Sequence, residues 1–525
     1  MLNKVNPQDA SQCHIEATTM NIQAKTRTPL INNDTILALC LEDQSCFVDE
    51  NNVVYTCNPD SENFQRIVSK MKILLQGREP EIRLSNREEV LSALQAGSTQ
   101  ASEPGYNHKK AATAISTQVE ERLMGLLAKC IRMRGSDIHI LVKGGKSKIQ
   151  VRVDGRLVEL SALQSKEYGA ELTAYIFQAL GNSEENYSPL VPNAGSFSKL
   201  INVGSKLRMW DWRSSLIPVS GISADDTDCT KTVLRLLTSI DDKIPSFADM
   251  GMDEEHIEIL ERAIRQPQGA VVLSGPTGSG KTTNAMSALS IVDHERNINT
   301  LEDPPEWSLN GVAQTRIDYG KTKNGITRDF TYYAKTMLRQ DPDVIYFGEV
   351  RDQKSAAEFT HLSESGHLLI GTTHTSSATG IATKLVEHLR VPGVIASSPD
   401  VFSVFAHQRL IRKLCPHCSI PYEKASKDQK ALLDRVLEHK TENARVKNPE
   451  GCNECTMGEK GRTIVMEVIE LTDEDRAFVA TGNALAWKKH LLENGWRSIQ
   501  YYALKKVSAG ICDINSAAEQ VKGLI

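Results

Sequence analysis

Long apolar runs and charge blocks are both missing from this chain. No stretch approaches the roughly 18 apolar residues of a membrane-spanning helix, and the first twenty residues lack the apolar core and cleavage site of a secretory signal. The 61 lysines and arginines nearly balance the 66 aspartates and glutamates, and neither sign is concentrated in a block. A basic arm for nucleic acid is therefore excluded, and we expect a cytoplasmic protein with no nucleic-acid partner.

The composition is that of an ordinary folded protein, with 40% hydrophobic and 24% charged residues. At roughly 100–200 residues per domain, the chain is long enough for about three or four domains. A segment near residue 100, AGSTQASEPGYNHKK, is rich in glycine, serine and polar residues, which is typical of a flexible linker. We expect a small α/β domain at 1–96, a linker at 97–115 and a second domain at 116–240.

This second domain shows the period-two pattern of β-strands. Apolar residues alternate in SDIHILV and KIQVRV on either side of a Gly-Gly turn, and Asp154–Gly155 makes the next turn. The pattern predicts an antiparallel β-meander in an α+β domain. From residue 252, beginning with a helix capped by Asp253, short apolar strands alternate with helices. That alternation predicts an α/β domain with a parallel sheet over 249–414.

The strongest motif is GPTGSGKT, which lies between an apolar strand and a predicted helix. Its glycines let the backbone turn so that successive N–H groups face a phosphate at the start of the helix. The lysine reaches the terminal phosphates, and the hydroxyl that follows it can hold Mg²⁺. The predicted nucleotide site consists of Gly275, Pro276, Thr277, Gly278, Ser279, Gly280, Lys281, Thr282 and Thr283.

Hydrolysis of a nucleotide also needs carboxylates near the metal and near the attacking water. Glu349 ends the apolar strand of DVIYFGEVRD, and Glu302 and Asp303 precede the double proline of LEDPPE. The strand of GHLLIGTTHTSS carries His367 at one end and His374 at the other, where a side chain can sense a terminal phosphate. Taken singly, a carboxylate after a strand is more often a solvated loop residue, and a lone histidine is more often part of a buried strand. Because they follow a phosphate loop, they favour a catalytic site.

Four of the 11 cysteines fall in two close pairs, CPHC and CNEC. In a reducing compartment such pairing favours a metal site over a disulfide. Four thiolates are the tetrahedral ligand set that structural zinc prefers, although the 33 residues between the pairs exceed the commonest spacing. His417, inside the first pair, could replace one ligand. We predict a zinc site formed by Cys415, Cys418, Cys452 and Cys455.

The order of these motifs resembles that of the type II secretion and type IV pilus assembly ATPases, the GspE/PilB-like secretion motors. The matching motifs are the phosphate loop, LEDPPE, MLRQDPDVIYFGEVRD, GHLLIGTTHTSS, AHQRLIRKLCPHC, CNEC and GRTIVMEVIELTDE. The resemblance implies a RecA-like P-loop NTPase domain at 249–414, preceded by a PAS-like α+β lobe at 116–240. A tetracysteine zinc module at 415–470 and a helical C-terminal tail at 471–525 would follow.

The resemblance also implies residue roles and partners. Glu302 matches the family's catalytic carboxylate, Glu349 its Walker B glutamate that helps to hold Mg²⁺, and His374 the second histidine of its His box. Arg213 in WDWRSS and Arg235 in VLRLL match arginines that contact the phosphates of ATP from the other lobe. We therefore expect a homohexameric ATPase at the inner face of the inner membrane. It would bind a platform protein there and drive assembly of a pilus or pseudopilus.

The chain departs from the family pattern at several positions. Ser196 in NAGSF replaces a common arginine, and Tyr332 and Lys335 stand where arginines are common. One contact that stabilises charge is therefore expected to be missing or moved. The segment CNECTMGEKGR is one residue shorter than the usual second cysteine knuckle, which leaves the packing of that knuckle open.

Three other functions compete with pilus or pseudopilus assembly. A retraction motor of the same superfamily usually lacks the tetracysteine module and the long N-terminal extension, so those features favour assembly. A nucleic-acid translocase is disfavoured by the net charge of −5 and the lack of a basic stripe. A nucleotide-binding scaffold without hydrolysis would lack Lys281, Glu302 or Glu349, and all three are present.

Overall fold

The computed structural model divides the chain into two compact units, residues 1–112 and residues 113–525. The first unit contains β1 (Cys46–Val48), β2 (Val54–Thr56), α1 (Glu62–Leu74) and β3 (Ile82–Leu84). β2 pairs with β1 in antiparallel and with β3 in parallel orientation. Phe64, Ile67 and Met71 of α1 are buried in one core with the sheet.

The described part of the chain has several gaps. It comprises most of residues 36–94, residues 108–237 apart from 181–186, 204–205 and 224–225, and residues 243–525 apart from 321 and 323–324. Residues 1–35 of the predicted first domain and residues 97–107 of the predicted linker lie outside it. Within the described part, no helix combines the length and the hydropathy that a membrane crossing demands.

The second unit begins with an antiparallel β-domain, residues 113–237, which we call the N-lobe. Its elements are α2 (His108–Arg132), β4 (Gly135–Lys143), β5 (Lys146–Val153), β6 (Arg156–Glu159), β7 (Gln164–Ser165), α3 (Lys166–Tyr175), a π-helix (Ile176–Leu180), β8 (Asn193–Val203), β9 (Lys206–Pro218) and β10 (Thr230–Leu236). The sheet order is β6-β5-β4-β10-β9-β8, with β7 beside β5. Ile140 pairs with Ile149, so the register follows the predicted alternation of apolar residues.

Alternation gives the N-lobe sheet two different faces. Ile138, Ile140 and Val142 are fully buried in one core with Leu123 and Leu127 of α2. The residues between them point to the opposite face. That second face is where the charged side chains of β4, β9 and β10 lie.

The remaining residues, 243–525, form the P-loop lobe around a mostly parallel sheet. Its helices are α4 (Glu254–Ile264), α5 (Lys281–Leu289), α6 (Phe330–Met337), α7 (Gln353–Glu364), α8 (Thr379–Thr383), α9 (Gly393–Ala396), α10 (Lys427–Val436), α11 (Asp473–Thr481), α12 (Ala484–Glu493), α13 (Ile499–Ser508) and α14 (Ile514–Ala518). Its strands are β11 (Gly269–Ser274), β12 (Ile298–Glu302), β13 (Val312–Arg316), β14 (Val344–Phe347), β15 (Leu368–Thr373), β16 (Phe402–Leu414), β17 (Ile420–Pro421), β18 (Arg445–Val446) and β19 (Glu459–Glu470).

The order of the large sheet is β13-β12-β14-β15-β11-β16-β19. Its strands are parallel from β13 to β16, as the alternation of strands and helices predicts. The final strand, β19, is antiparallel to β16. It follows the second cysteine pair and completes the central sheet. All four residues of β14 are buried, because helices cover both faces of the sheet.

Asp253 stands at the predicted N-cap of α4, but its carboxylate makes no bond to the helix amides. It pairs instead with Lys505, with 2.7 Å between Oδ1 and Nζ. A nearby ammonium group competes with a main-chain amide because both partners of the ion pair are charged. The start of α4 is thus tied to the C-terminal helix α13.

Two glycines differ in the space that surrounds them. A Cβ on Gly371 of β15 would lie 2.5 Å from the buried Phe359 ring, whereas a Cβ on Gly125 of α2 would meet nothing within 4 Å. We expect Gly371→Ala to destabilise the fold by about 1–3 kcal/mol through overpacking. Gly125→Ala should stabilise its helix by about 0.5–1 kcal/mol. Urea unfolding of both variants checks the opposite signs, and equal shifts would contradict the packing described.

Candidate active site

The phosphate loop joins β11 to α5 and packs closely on β16. Gly280 precedes the helix with φ 85°, a left-handed conformation that suits glycine. A Cβ on Gly275 would lie 2.5 Å from the main-chain oxygen of Gln408, so only glycine fits there. The Lys281 ammonium donates to the carbonyl oxygens of Gly275 at 2.8 Å and Pro276 at 3.1 Å. Burial lowers the pKa of Lys281 to about 8.

Two buried polar residues of β16 contact the phosphate loop and the strand that leads into it. The Gln408 amide donates to the carbonyl of Ser279 at 2.9 Å and accepts from the Asn284 amide at 2.6 Å. His407 lies 3.2 Å from the hydroxyl of Ser274, measured from Nδ1 to Oγ. Sequence reasoning did not single out this pair. The available signal was two polar residues side by side in the strand of AHQRL.

The carboxylate of Glu302 lies at the end of β12 and is almost fully buried. It accepts hydrogen bonds from the Thr300 hydroxyl at 2.6 Å and the Gln314 amide at 2.9 Å. Burial raises its pKa. An oriented carboxylate with increased basicity is suited to accept a proton. Asp303, next to it, is exposed and accepts from the Tyr319 hydroxyl at 2.9 Å.

Glu349 follows β14, and His374 follows the neighbouring strand β15. Glu349 Oε1 lies 3.6 Å from His374 Nε2. Burial and the charge of Lys281 lower the pKa of His374, while the charge of Glu349 acts in the opposite direction. The ammonium of Lys384 donates to the main-chain carbonyl of His374 at 3.2 Å. The charges of Glu349 and Lys281 therefore both act on His374.

The other positions noted in the sequence lie elsewhere. His367 precedes β15, at the opposite end from His374, and its Nδ1 is 3.1 Å from the carbonyl of Leu362. Tyr332 is exposed on α6, and Lys335 is 3.8 Å from Glu358 of α7. These residues belong to the surface and to helix packing.

Glu306, the last acidic residue of LEDPPE, is a site residue that sequence reasoning missed. Burial raises its pKa, while the charge of Arg235, a hydrogen bond with the Thr282 hydroxyl and the charge of Arg213 act in the opposite direction. Glu306 thus interacts with both the phosphate loop and the arginines of the N-lobe. Its signal was its position in the same acidic motif as Glu302.

The two arginines stand side by side on the N-lobe sheet. Arg213 of β9 pairs with Arg235 of β10 on one side and with Ser196 of β8 on the other. Arg235 also pairs with Asp137 of β4, and its Nε donates to the carboxylate at 2.9 Å. Directly opposed residues share a face, so this row lies on the face away from the N-lobe core. The family pattern has an arginine at the position of Ser196, so this row has one arginine fewer at its β8 end.

The four paired cysteines converge between β16 and β19. Their sulfur atoms all lie within 4.8 Å of one another. Cys415 and Cys452 are 3.8 Å apart, and Cys418 and Cys455 are 3.7 Å apart. Although burial favours the neutral thiol, the backbone amides of His417 and Cys418 lower the pKa of Cys415 to about 7. The His417 side chain is not a member of the cluster.

Comparison with known proteins identifies similar chains. The family described as Type II/IV secretion system protein matches residues 113–519. Type II secretion system protein E of Pseudomonas aeruginosa is 34% identical over 360 residues, covering 67% of this chain and 66% of that protein. Type IV pilus assembly ATPase PilB of the same organism is 30% identical over 407 residues, covering 76% of this chain and 66% of PilB. The alignments thus span slightly less than two thirds of each relative.

A solved structure shares the fold. The Legionella pneumophila ATPase DotB superposes with a TM-score of 0.52 at 18% sequence identity, covering 80% of this chain and 97% of DotB. At this identity the likeness concerns the fold. It agrees with the α/β architecture of the P-loop lobe.

Gln408 offers a test of how the loop is supported. In Gln408→Ala the Ser279 carbonyl and the Asn284 amide lose their partner in a buried place, which should cost about 1–3 kcal/mol of folding free energy. Nucleotide binding should weaken because the loop is no longer held against β16. Thermal unfolding and titration with a fluorescent nucleotide check both effects. Gln268→Ala, which removes an exposed bond to Asp400, is the matched control, and equal losses in both variants would contradict the assignment.

Proposed function

Because the chain belongs to the Type II/IV secretion system protein family, we propose that it is an ATP-hydrolysing motor that powers assembly of a type IV pilus or a type II secretion pseudopilus. The family match confirms the resemblance read from the motifs. One observation carries the proposal: the phosphate loop, the buried Glu302 and the Glu349–His374 pair all follow neighbouring parallel strands. A nucleotide-binding lysine and acidic side chains for hydrolysis therefore meet at one sheet edge.

Each of these residues has a role that suits its surroundings. Lys281 and the amides at the start of α5 bind the phosphates of ATP. Thr282 and Glu349 would hold Mg²⁺, which would neutralise charge on the phosphates. Glu302 takes a proton from the attacking water, since two donors orient it and burial raises its pKa. His374 contacts the terminal phosphate beside Glu349.

The N-lobe completes the site from the other side. Arg213 and Arg235 bind the developing charge on the transferred phosphoryl group, which is worth roughly 1.5–3 kcal/mol for each charged hydrogen bond. Their electrostatic contact with Glu306 supports this role, because Glu306 in turn contacts Thr282 of the phosphate loop. The PAS-like character of the N-lobe is part of the proposal.

The tetracysteine cluster holds a structural zinc ion in this proposal. Zn–S bonds of about 2.3 Å place the sulfur atoms of a tetrahedral site about 3.8 Å apart. The separations of 3.7 and 3.8 Å between cysteine sulfurs fit that geometry. Zinc would link the end of β16 to the segment before β19.

The names of the relatives support assembly over retraction. The two similar Pseudomonas aeruginosa proteins are a type II secretion protein and a pilus assembly ATPase. A homohexamer bound to an inner-membrane platform protein at the cytoplasmic face is part of the same proposal. The near balance of charges supports a protein partner over nucleic acid.

The catalytic roles can be separated by mutation. We expect Lys281→Ala to abolish nucleotide binding, because the lysine contacts phosphates in the ground state. Glu302→Gln and Glu349→Gln should bind nucleotide and lose about 100-fold or more in kcat, because these carboxylates act in the chemical step. Steady-state ATPase assays and equilibrium binding of a fluorescent nucleotide separate the two effects. Normal turnover by Lys281→Ala would rule out the proposed function, and Asp303→Asn serves as the neighbouring control.

Zinc content tests the cysteine cluster. We expect about one zinc per chain by elemental analysis, since four thiolates that converge in the folded protein bind one tetrahedral ion. Cys415→Ser should lower both the zinc content and the melting temperature, whereas Cys57→Ser, outside the cluster, should leave the zinc content unchanged. Zinc-free protein with four reactive thiols at these positions would contradict the assignment.

A further inference from the structure

The N-lobe meets the P-loop lobe a second time through the turn between β5 and β6. The Arg156 guanidinium forms an ion pair with Glu459, with 2.7 Å between Nη1 and Oε2. Its Nη2 donates to Glu519 Oε1 at 3.1 Å. In the same turn Asp154 accepts a hydrogen bond of 2.8 Å from the main-chain N–H of Gly461. These contacts join the edge of the N-lobe sheet to the other lobe.

The partners of Arg156 are the buried Glu459 and the half-exposed Glu519, and both also pair with a second arginine. Arg412 of β16 donates from Nε to Glu459 Oε2 at 3.0 Å and also pairs with Glu519. The side chains of Arg412 and Glu459 are only 4% and 2% exposed. Two guanidinium groups and two carboxylates balance their charges in this network. Removing Arg156 or Arg412 leaves the two carboxylates with a single cation, and Glu459 lies where water hardly reaches.

The cysteine knuckles hold one side of this network. Glu459 begins β19 and follows the second cysteine pair closely. The main-chain N–H of Cys415 donates to the carbonyl of Gly458 at 2.9 Å. The position of Glu459 therefore depends on the same loops that carry the four cysteines.

We propose that Arg156 is a positioning residue that sets where Arg213 and Arg235 stand relative to the phosphate loop. Arg156 lies on β6 and Arg213 on β9, four strands apart in the sheet order. At 4.7–4.9 Å per strand this separation is about 19 Å. The hydrogen-bonded sheet is rigid. Because the charge network fixes its β6 edge, it also fixes where Arg213 and Arg235 stand on β9 and β10.

The contact between Arg235 and Asp137 does not set this distance. The hydrogen bond from Arg235 to Asp137 lies within the N-lobe. It orients the guanidinium without determining how far the N-lobe is from the P-loop lobe. The Arg156 contacts cross between the lobes and do determine it. The inference rests on the proposed function, because it assumes that the two arginines act in hydrolysis.

A double-mutant cycle on kcat tests the coupling. We expect Arg156→Ala to lower kcat about tenfold, since small misplacements of catalytic groups are costly, with the dissociation constant of a fluorescent nucleotide unchanged. In protein that already carries Arg213→Ala and Arg235→Ala, the same change should have no further effect, because residues acting through one another are not additive. Arg156→Lys should restore part of kcat. Losses that multiply in the combined variant would overturn the proposal.

A matched control separates this effect from the loss of any ion pair. Arg262 donates to both carboxylate oxygens of Glu470, at 3.1 and 2.7 Å, and both residues lie within the P-loop lobe. Arg262→Ala should leave kcat unchanged. A kcat loss equal to that of Arg156→Ala would assign the effect to general stability and overturn the proposal.

Hydrogen exchange on the full chain gives a readout that does not need activity. The amide of Gly461 should lose protection in Arg156→Ala, because Asp154 no longer accepts its hydrogen bond. The strands β4 and β5 should keep theirs, since the N-lobe core is intact. Unchanged protection of Gly461 would overturn the docking role of Arg156. If Gly461 loses protection in Arg156→Ala but the wild-type protein does not hydrolyse ATP, the docking role of Arg156 stands. The proposed function and the catalytic part of this inference would then be wrong.

Discussion

The parallel pairing of β11, β12, β14 and β15 is the constraint on which the active site depends. Parallel strands bring their carboxyl ends to one edge, so four segments between residues 281 and 374 deliver Lys281, Glu302, Glu349 and His374 to one place. Helices bury both faces of this sheet, so the strand interiors must be apolar. The charged side chains of the candidate site therefore lie at the strand ends or just beyond them. The antiparallel β19 lies on the far side of β16 and leaves this edge undisturbed.

The exclusion of water from the candidate site shifts the pKa values of its ionisable groups. The same exclusion of water raises the pKa of Glu302 and lowers that of Lys281. Such burial is tolerated only where hydrogen bonds replace water, as those of Thr300 and Gln314 do for the carboxylate. Beneath the phosphate loop, Gln408 does the same for main-chain groups. Hydrogen bonds from neighbouring side chains thus support both the Glu302 carboxylate and the phosphate loop.

The sequence predicted those features that depend on local pattern. The phosphate loop and the N-lobe meander were recognisable because glycine spacing and period-two alternation act within a few residues. Glu306 and Gln408 were missed because their importance comes from neighbours in space: a phosphate-loop hydroxyl for one, a loop carbonyl for the other. Asp253 illustrates the same limit, since a distant lysine replaced the helix amides as its partner. That β19 completes the central sheet also follows from pairing, which spacing between cysteines does not reveal.

The N-lobe shows how an antiparallel sheet can serve two purposes at once. Alternation assigns one face to the apolar core and leaves the other for a row of charges, in which Arg213, Arg235 and Arg152 accompany the single Asp137. The excess of cations in this row is unfavourable by itself, and Ser196 in place of a further arginine reduces it. Negative charge from Glu306 of the P-loop lobe relieves part of the remaining excess. The charge pattern of the N-lobe thus favours the approach of the two lobes, and the geometry of that approach is set where Arg156 crosses between them.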